Sequence, residues 1–375
     1  MSTPSPLLCA IALGAIPGVG AITARKLIEA TGSPEALFSE KASDLALIAG
    51  ITRQQIDYIV SRRTLELAER EAGIITAKGI TPLLFTDAGY PRRLAECPDA
   101  PLVIYYRGEC DLNSERMISV VGTRRATSRG RDLCEDIIGR LASRYPDLVV
   151  VSGLAYGIDI AAHRAALTAG VRTLGVLAHG HGTIYPGEHR RVAGEMVERG
   201  GLLTDFLYDE SAERGNFIKR NRIIAGISAG TLVVESGVKG GAMVTAEMAF
   251  SYGRDVMALP GRSSDNWSLG CNRLIKRNIS ALIESGDDIS DLLGWESVEF
   301  DMPRQQLLFG ESGGEELAVA DALRRESTLS ADEISRVTGI APGRLSSLLL
   351  NMELRSAIRS YPGNRYGPGK RGLDS

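Results

Sequence analysis

The sequence contains no C-x-x-C pair, no H-E-x-x-H segment and no glycine-rich loop ending in G-K-[ST]. These gaps argue against a zinc or thioredoxin-type centre, a zinc protease and a P-loop nucleotidase. Its five cysteines (Cys9, Cys97, Cys110, Cys134 and Cys271) are scattered without partner spacing. Reduced thiols in a cytoplasmic protein are the expectation. No apolar run is long enough to cross a bilayer, so no membrane role is expected. The stretch Leu7 to Ile22 has no basic leader and is broken by Gly14, Pro17, Gly18 and Gly20, which makes it a poor signal peptide. Neither charge is in excess, with 43 Lys and Arg against 46 Asp and Glu and a net charge of −3. Any polyanion must therefore be met by a local basic patch.

What is present is an ordinary globular composition, 44% hydrophobic and 24% charged, in a 375-residue chain long enough for two or three domains. Residues 1–75 read as a small helical domain, with apolar positions at helical spacing around Ala24, Leu27 and Ile28, then Leu45, Leu47 and Ile48, then Ile56, Ile59 and Val60. Within it, Ile16-Pro17-Gly18-Val19-Gly20 followed by Ala24-Arg25-Lys26-Leu27 is similar to a helix-hairpin-helix turn, whose amides can meet a DNA phosphate or serve packing alone.

Residues 76–298 carry short, nearly continuous apolar runs, each followed by a glycine-bearing turn and a helical stretch. The runs are Met117–Val121, Leu148–Val151, Thr173–Leu177, Leu202–Phe206, Thr231–Val234, Val256–Leu259 and Ala281–Ile283. Strands buried on both faces read this way, so the fold class is α/β, a doubly wound Rossmann-like parallel sheet. The stretch from about 76 to 115, with Tyr90–Leu94 and Leu102–Tyr106, is expected to add edge strands or a lead-in. Residues 299–314 read as a polar linker and 315–375 as a C-terminal winged-helix-like domain of three helices and a hairpin. Its presumed recognition helix, Pro342 to Arg355, holds two cations and one acid, which fits a regulatory or protein-contact module better than a groove reader.

In such a sheet, ligands sit beyond the carboxyl ends of the strands. The first of those turns is Gly122-Thr123-Arg124-Arg125, leading to a helix capped by Thr127 or Ser128, an expected anion site. The second, Ser152-Gly153-Leu154-Ala155-Tyr156-Gly157-Ile158-Asp159, is not a dinucleotide fingerprint, so no nicotinamide cofactor is expected. His163 reads as a hydrogen-bonded structural histidine. Asn216-Phe217-Ile218-Lys219-Arg220-Asn221-Arg222 places three cations beside an aromatic, the mixture that single-stranded nucleic acid needs for its phosphates and bases. Lys239 lies in a further glycine turn, and Arg273 and Lys276 open a later helix. No metal-ligand cluster and no nucleophile, base and orienter set emerges, so neither catalytic nor metal residues are assigned and a binding protein is expected over an enzyme.

Several stretches together resemble the DprA/Smf family of DNA-processing proteins: Val121-Gly122-Thr123-Arg124, Ser152 through His163, Tyr185-Pro186, Asn221-Arg222-Ile223-Ile224-Ala225-Gly226, Glu235-Ser236-Gly237 with Gly240-Gly241 and Thr245, Leu259-Pro260-Gly261, and Gly270 through Ile275. The resemblance implies a cofactor-free homodimer that binds single-stranded DNA and loads the RecA recombinase during natural transformation. It carries the family's DNA-binding pattern onto Gly122, Arg124, Lys219 and Arg220, with Phe217 as a base-stacking candidate. The chain departs from the family at His179-Gly180-His181-Gly182, at Glu188-His189, and in a longer Leu207–Gly215 segment. The alternative is a phosphoribohydrolase of the LOG-like group, whose proline-glycine-glycine-x-glycine-threonine turn is absent here, Glu235-Ser236-Gly237 standing in its place.

Overall fold

In the computed structural model, residues 4–295, 313–326, 328–354, 357–361 and 363–368 are described. The chain divides into two compact units, residues 1–299 and 300–375.

The first unit begins with six helices: α1 (Pro6–Gly14), α2 (Ala21–Thr31), α3 (Pro34–Leu37), α4 (Ala42–Leu45), α5 (Arg53–Ser61) and α6 (Arg63–Ala77). Their starts are set by side chains that satisfy free amides. Ser5 and Ser33 cap α1 and α3, and Thr52 with Gln55 forms a reciprocal capping box on α5. Two strands and a short helix follow: β1 (Thr81–Leu84), α7 (Arg92–Ala95) and β2 (Val103–Gly108). The segment around Tyr90–Leu94 thus runs into a helix rather than a strand. The helical core, including Ile11, Leu13, Leu27 and Ile59, continues into Leu84, Leu102, Val103 and Tyr105 without a break.

The alternating part comprises β3 (Met117–Val121), α8 (Ser128–Arg144), β4 (Val149–Ser152), α9 (Ile158–Thr168), β5 (Arg172–Val176), α10 (Arg190–Arg199), β6 (Gly200–Thr204), α11 (Arg214–Ile227), β7 (Gly230–Val233), α12 (Gly241–Ser251), β8 (Asp255–Ala258), α13 (Leu269–Lys276), β9 (Ala281–Leu282) and α14 (Gly286–Leu292). Each apolar run read from the sequence is a strand. The sheet order is β1-β2-β6-β5-β4-β3-β7-β8-β9, parallel from β6 to β9, with β2 antiparallel to β6 and β1 antiparallel to β2. Helices cover both faces, which is why the strands lack in-out alternation. Along β3, Met117 and Val121 enter one core while Ile118 and Val120 enter the other.

From β3 the chain steps through β4, β5 and β6 on one side and β7, β8 and β9 on the other. The strand order therefore reverses between β3 and β7, where the loops leaving the two strands part and open a crevice.

The second unit contains α15 (Gly313–Arg325), β10 (Leu329–Ser330), α16 (Ala331–Thr338), α17 (Pro342–Leu354), β11 (Ile358–Tyr361) and β12 (Arg365–Pro368). Its antiparallel sheet has the order β10-β12-β11, and its core includes Val319, Leu323, Ile334, Leu349 and Ile358. This is a winged helix. On α17, Arg344 is engaged with Glu315 at 2.8 Å, while Arg355 lies outside the described residues. The linker read at 299–314 also lies outside them, apart from its last two residues.

Candidate functional site

Backbone bonds between the strand-end turns build the crevice. Thr123 N donates to Glu235 O at 2.7 Å, and Ile158 N donates to Thr123 O at 3.2 Å, so the loops after β3, β4 and β7 are held together. Gly122 lies so close to its neighbours that a Cβ there would sit 2.4 Å from Ile158 Cγ1. Gly157 combines a φ of +80° with an approach that would put a Cβ 2.1 Å from Thr123 O. Together these turns enclose a cavity of about 550 Å³, open to solvent and lined among others by Gly122, Arg124, Asp159, Tyr185, Phe217, Asn221, Gly241 and Thr245.

Two features of this cavity suit a nucleotide chain. The first is the start of α12. Its N-cap is Gly240, which offers no side-chain acceptor, and no acid stands in the first turn. The amide end of the helix is thus left for an anion. The second is a stack at the rim, where the Arg124 guanidinium lies 4.8 Å from the centroid of the Phe217 ring and that ring meets Tyr185 edge to face at 5.9 Å. Arg124 is exposed and carries no salt bridge among the described residues. It is a cation on a ring, next to a helix N-terminus.

The anion site expected at the start of α8 is already filled by the protein. Glu235 accepts from Thr127 N at 2.9 Å and from the Thr127 hydroxyl, while Thr127 Oγ1 caps the helix by accepting from Gly130 N at 3.0 Å. No sequence signal links residues 108 positions apart, so the sequence reading could see the cap but not its occupant.

The basic run Lys219-Arg220-Asn221-Arg222 does not form one patch. It lies inside α11, and helical geometry spreads its cations over different faces. Arg220 is only 3% exposed, forms part of the cavity lining, and donates to Gly153 O at 2.6 Å and to Val176 O, tying the ends of β4 and β5 together there. Burial lowers its pKa to about 10, opposed by the nearby carboxylate of Asp159. Burial likewise pushes the Asp159 carboxyl up, with Arg220 opposing. Arg222 is held by the Asp205 carboxylate and Asp99 O. Lys219 is exposed and lines a second cavity of about 530 Å³ beside the 14–20 hairpin and Glu210. In that hairpin, Gly18 O accepts from Gln55 at 3.1 Å, and Arg25 donates to Cys97 O and Ala95 O, so these groups serve packing.

Of the other residues named from the sequence, Thr123 holds the backbone of the first turn, and its hydroxyl accepts from Arg125 N at 3.1 Å. The Arg125 side chain is exposed outside the cavity lining, as is Lys239, one residue before the open start of α12. Arg273 and Lys276 stand in the last turn of α13, whereas its first turn meets the strand-end loops through Gly270 N and Ser236 O at 2.8 Å. Sequence reasoning missed Arg214, an exposed cation in the lining, and gave Tyr185 and Asp159 no role.

His163 is fully buried. The Thr173 hydroxyl donates to Val150 O at 2.9 Å, so His163 Nδ1 must donate to Thr173 Oγ1, at 2.7 Å, and Nε2 keeps a bare lone pair with no partner among the described residues. Burial lowers the His163 pKa to about 3 and that of His181 to about 4, and it lowers His179 as well. Because the unfolded chain takes up these protons near pH 6.5, the three neutral rings stabilise the fold fully above that pH. Their contribution is lost as pH falls towards each folded value, at about 1.4 kcal/mol per pH unit for each ring. The raised carboxyls of Asp159, Glu71 and Glu210 work in the opposite direction. Denaturant midpoints should fall between pH 7 and 5, and His163→Gln should flatten that fall. A midpoint that stayed level would contradict the buried neutral histidines.

The family model for DNA recombination-mediator protein A matches residues 81–294, and that for the DprA winged helix domain matches residues 310–364. The putative DNA processing protein DprA of Mycobacterium tuberculosis is 32% identical over 350 residues, covering 88% of this chain and 89% of that protein. The DNA processing protein DprA of Streptococcus pneumoniae is 38% identical over 203 residues, 54% of this chain and 71% of that protein. The X-ray structure of the pneumococcal protein aligns with a TM-score of 0.67 at 29% identity, over 77% of this chain and 98% of that one. DNA processing protein A of Helicobacter pylori, described for its single-stranded DNA binding mode, aligns with a TM-score of 0.52 at 26% identity, over 57% of this chain and 95% of that one.

Proposed function

The chain belongs to the DprA/Smf family of DNA-processing proteins, and from that premise we propose that it binds and protects single-stranded DNA in the β3/β7 crevice and delivers it to the RecA recombinase. The observation that carries this reading is Arg124 on the Phe217 ring beside the uncapped start of α12. A phosphate takes the guanidinium and the helix amides, and an unpaired base takes the ring. Gly122 keeps the backbone low enough for the strand to approach, Thr123 fixes the turn, and Arg214 and Lys239 add charge at the edge. Arg220 acts by holding the loops. Lys219 and Arg125 guide the strand outside the cavity, and Arg273 and Lys276 lie beyond it. The protein works as a cytoplasmic homodimer in DNA uptake and recombination, by binding and without catalysis or cofactor.

Two measurements test this. The lag before RecA hydrolyses ATP on single strands coated with single-strand-binding protein should shorten when the chain is added, and an unchanged lag would remove the delivery role. A chain ending at residue 298 should bind labelled single strands within about tenfold of the full chain, a difference of about 1.4 kcal/mol. On the winged helix Arg344 is paired with Glu315 and Arg365 donates to Thr328 O at 2.8 Å, which engages two of its cations within the unit. A larger loss would make it part of the DNA site.

A further inference from the structure

Aromatic residues are scarce in this chain, 5% of its residues, yet two large rings stand half open to solvent, Tyr185 in the cavity lining and Tyr156 next in sequence to the lining residue Ala155. Tyr185 is 49% exposed and lines the cavity beside Phe217. Tyr156 is 42% exposed, its ring edge to face with His189 at 5.1 Å and its hydroxyl donating to Glu188 at 2.9 Å. Buried histidines anchor the backbone that carries both rings. His189 Nδ1 donates to Leu154 O at 2.8 Å, on the turn that carries Tyr156. His179 Nδ1 donates to Gly180 O at 2.8 Å, which leaves Nε2 to accept from Tyr185 N at 3.2 Å. The carbonyl of His179 in turn accepts from the Thr204 hydroxyl at the end of β6, at 2.8 Å. These histidines stand in the segment where the chain departs from the family pattern, and they hold the tyrosines in place.

An exposed ring held rigid loses little conformational freedom when a ligand stacks on it, so a flat partner gains most of the contact. Phe217 and Tyr185 meet edge to face in the cavity lining, and Tyr156 follows directly on the lining residue Ala155, so the three rings suit neighbouring unpaired bases, whereas a duplex keeps its bases stacked on one another. We propose that Tyr185 and Tyr156 are stacking platforms that extend the single-strand site beyond the Phe217 cavity, so that one protomer holds several consecutive bases irrespective of sequence. This inference rests on the single-strand reading above.

The test compares the full chain with Tyr185→Ala, Tyr156→Ala and Tyr185→Phe on a labelled oligothymidylate and on the same sugar-phosphate strand without bases. Each alanine variant should bind oligothymidylate at least about fivefold more weakly with an unchanged salt slope, because a stacked base and not a phosphate is lost. Tyr185→Phe should bind like the parent. On the strand without bases the alanine variants should equal the parent, which also certifies their folding. Undiminished binding of the alanine variants to oligothymidylate, or an equal loss on the strand without bases, would overturn the inference while leaving single-strand binding intact. Failure of the parent chain to bind either strand would overturn the single-strand reading and this inference with it.

Discussion

Arg220→Met is expected to destabilise the Rossmann-like unit by about 2–6 kcal/mol, since two buried carbonyls each lose a donor at about 1–3 kcal/mol. The substitution would strip donors from Gly153 O and Val176 O and remove the charge that most opposes the burial of Asp159. Domains of this kind unfold with about 5–15 kcal/mol in total, so the loss is a large fraction of the whole. Denaturant midpoints at neutral pH measure it. Whatever variant remains folded should keep the parental salt slope in single-strand binding, because the guanidinium is enclosed. A variant of parental stability whose salt slope had flattened would instead make Arg220 a direct phosphate contact.

Arg124→Ala should spare stability and damage binding. Arg124 is exposed, and its only described ring contact is Phe217. Its loss should weaken binding to every sequence by about 2 kcal/mol, the scale of a charge-assisted hydrogen bond, and so by about thirtyfold. The dependence of log affinity on log salt should flatten by about 0.7 for each phosphate contact removed from a single strand. Titration of labelled oligonucleotides across a salt series reads both effects. Weaker binding with an unchanged slope would assign Arg124 to the ring stack alone.

These two arginines mark where the sequence could and could not be read. The strands were legible because burial on both faces leaves continuous apolar runs such as Met117–Val121, and the turns because backbone crowding demands glycine at positions like 122 and 157. Arg124 follows a strand end directly, so its place at the crevice follows from topology. Arg220 does not, because adjacent cations look like one patch until a helix turns them about 100° apart per residue. Residue 219 then faces solvent, 220 the sheet and 222 the Asp205 carboxylate. The carboxylate of Glu235 at the start of α8 was invisible for a different reason, being a tertiary contact with no local pattern. Tyr185 belongs to a Tyr-Pro pair that resembles the family, but the pinning of its backbone by His179 is a tertiary contact that no periodicity reveals.

The most direct test of the central claim is equilibrium titration of the full chain with labelled single-stranded and duplex oligonucleotides of the same length over a range of salt. Binding should be tight on single strands whatever their sequence, weaker on duplex, and steeply reduced by salt as neutralised phosphates release their counterions. Equal affinity for the two forms would contradict a site built from unpaired bases on the rings of Phe217 and Tyr185.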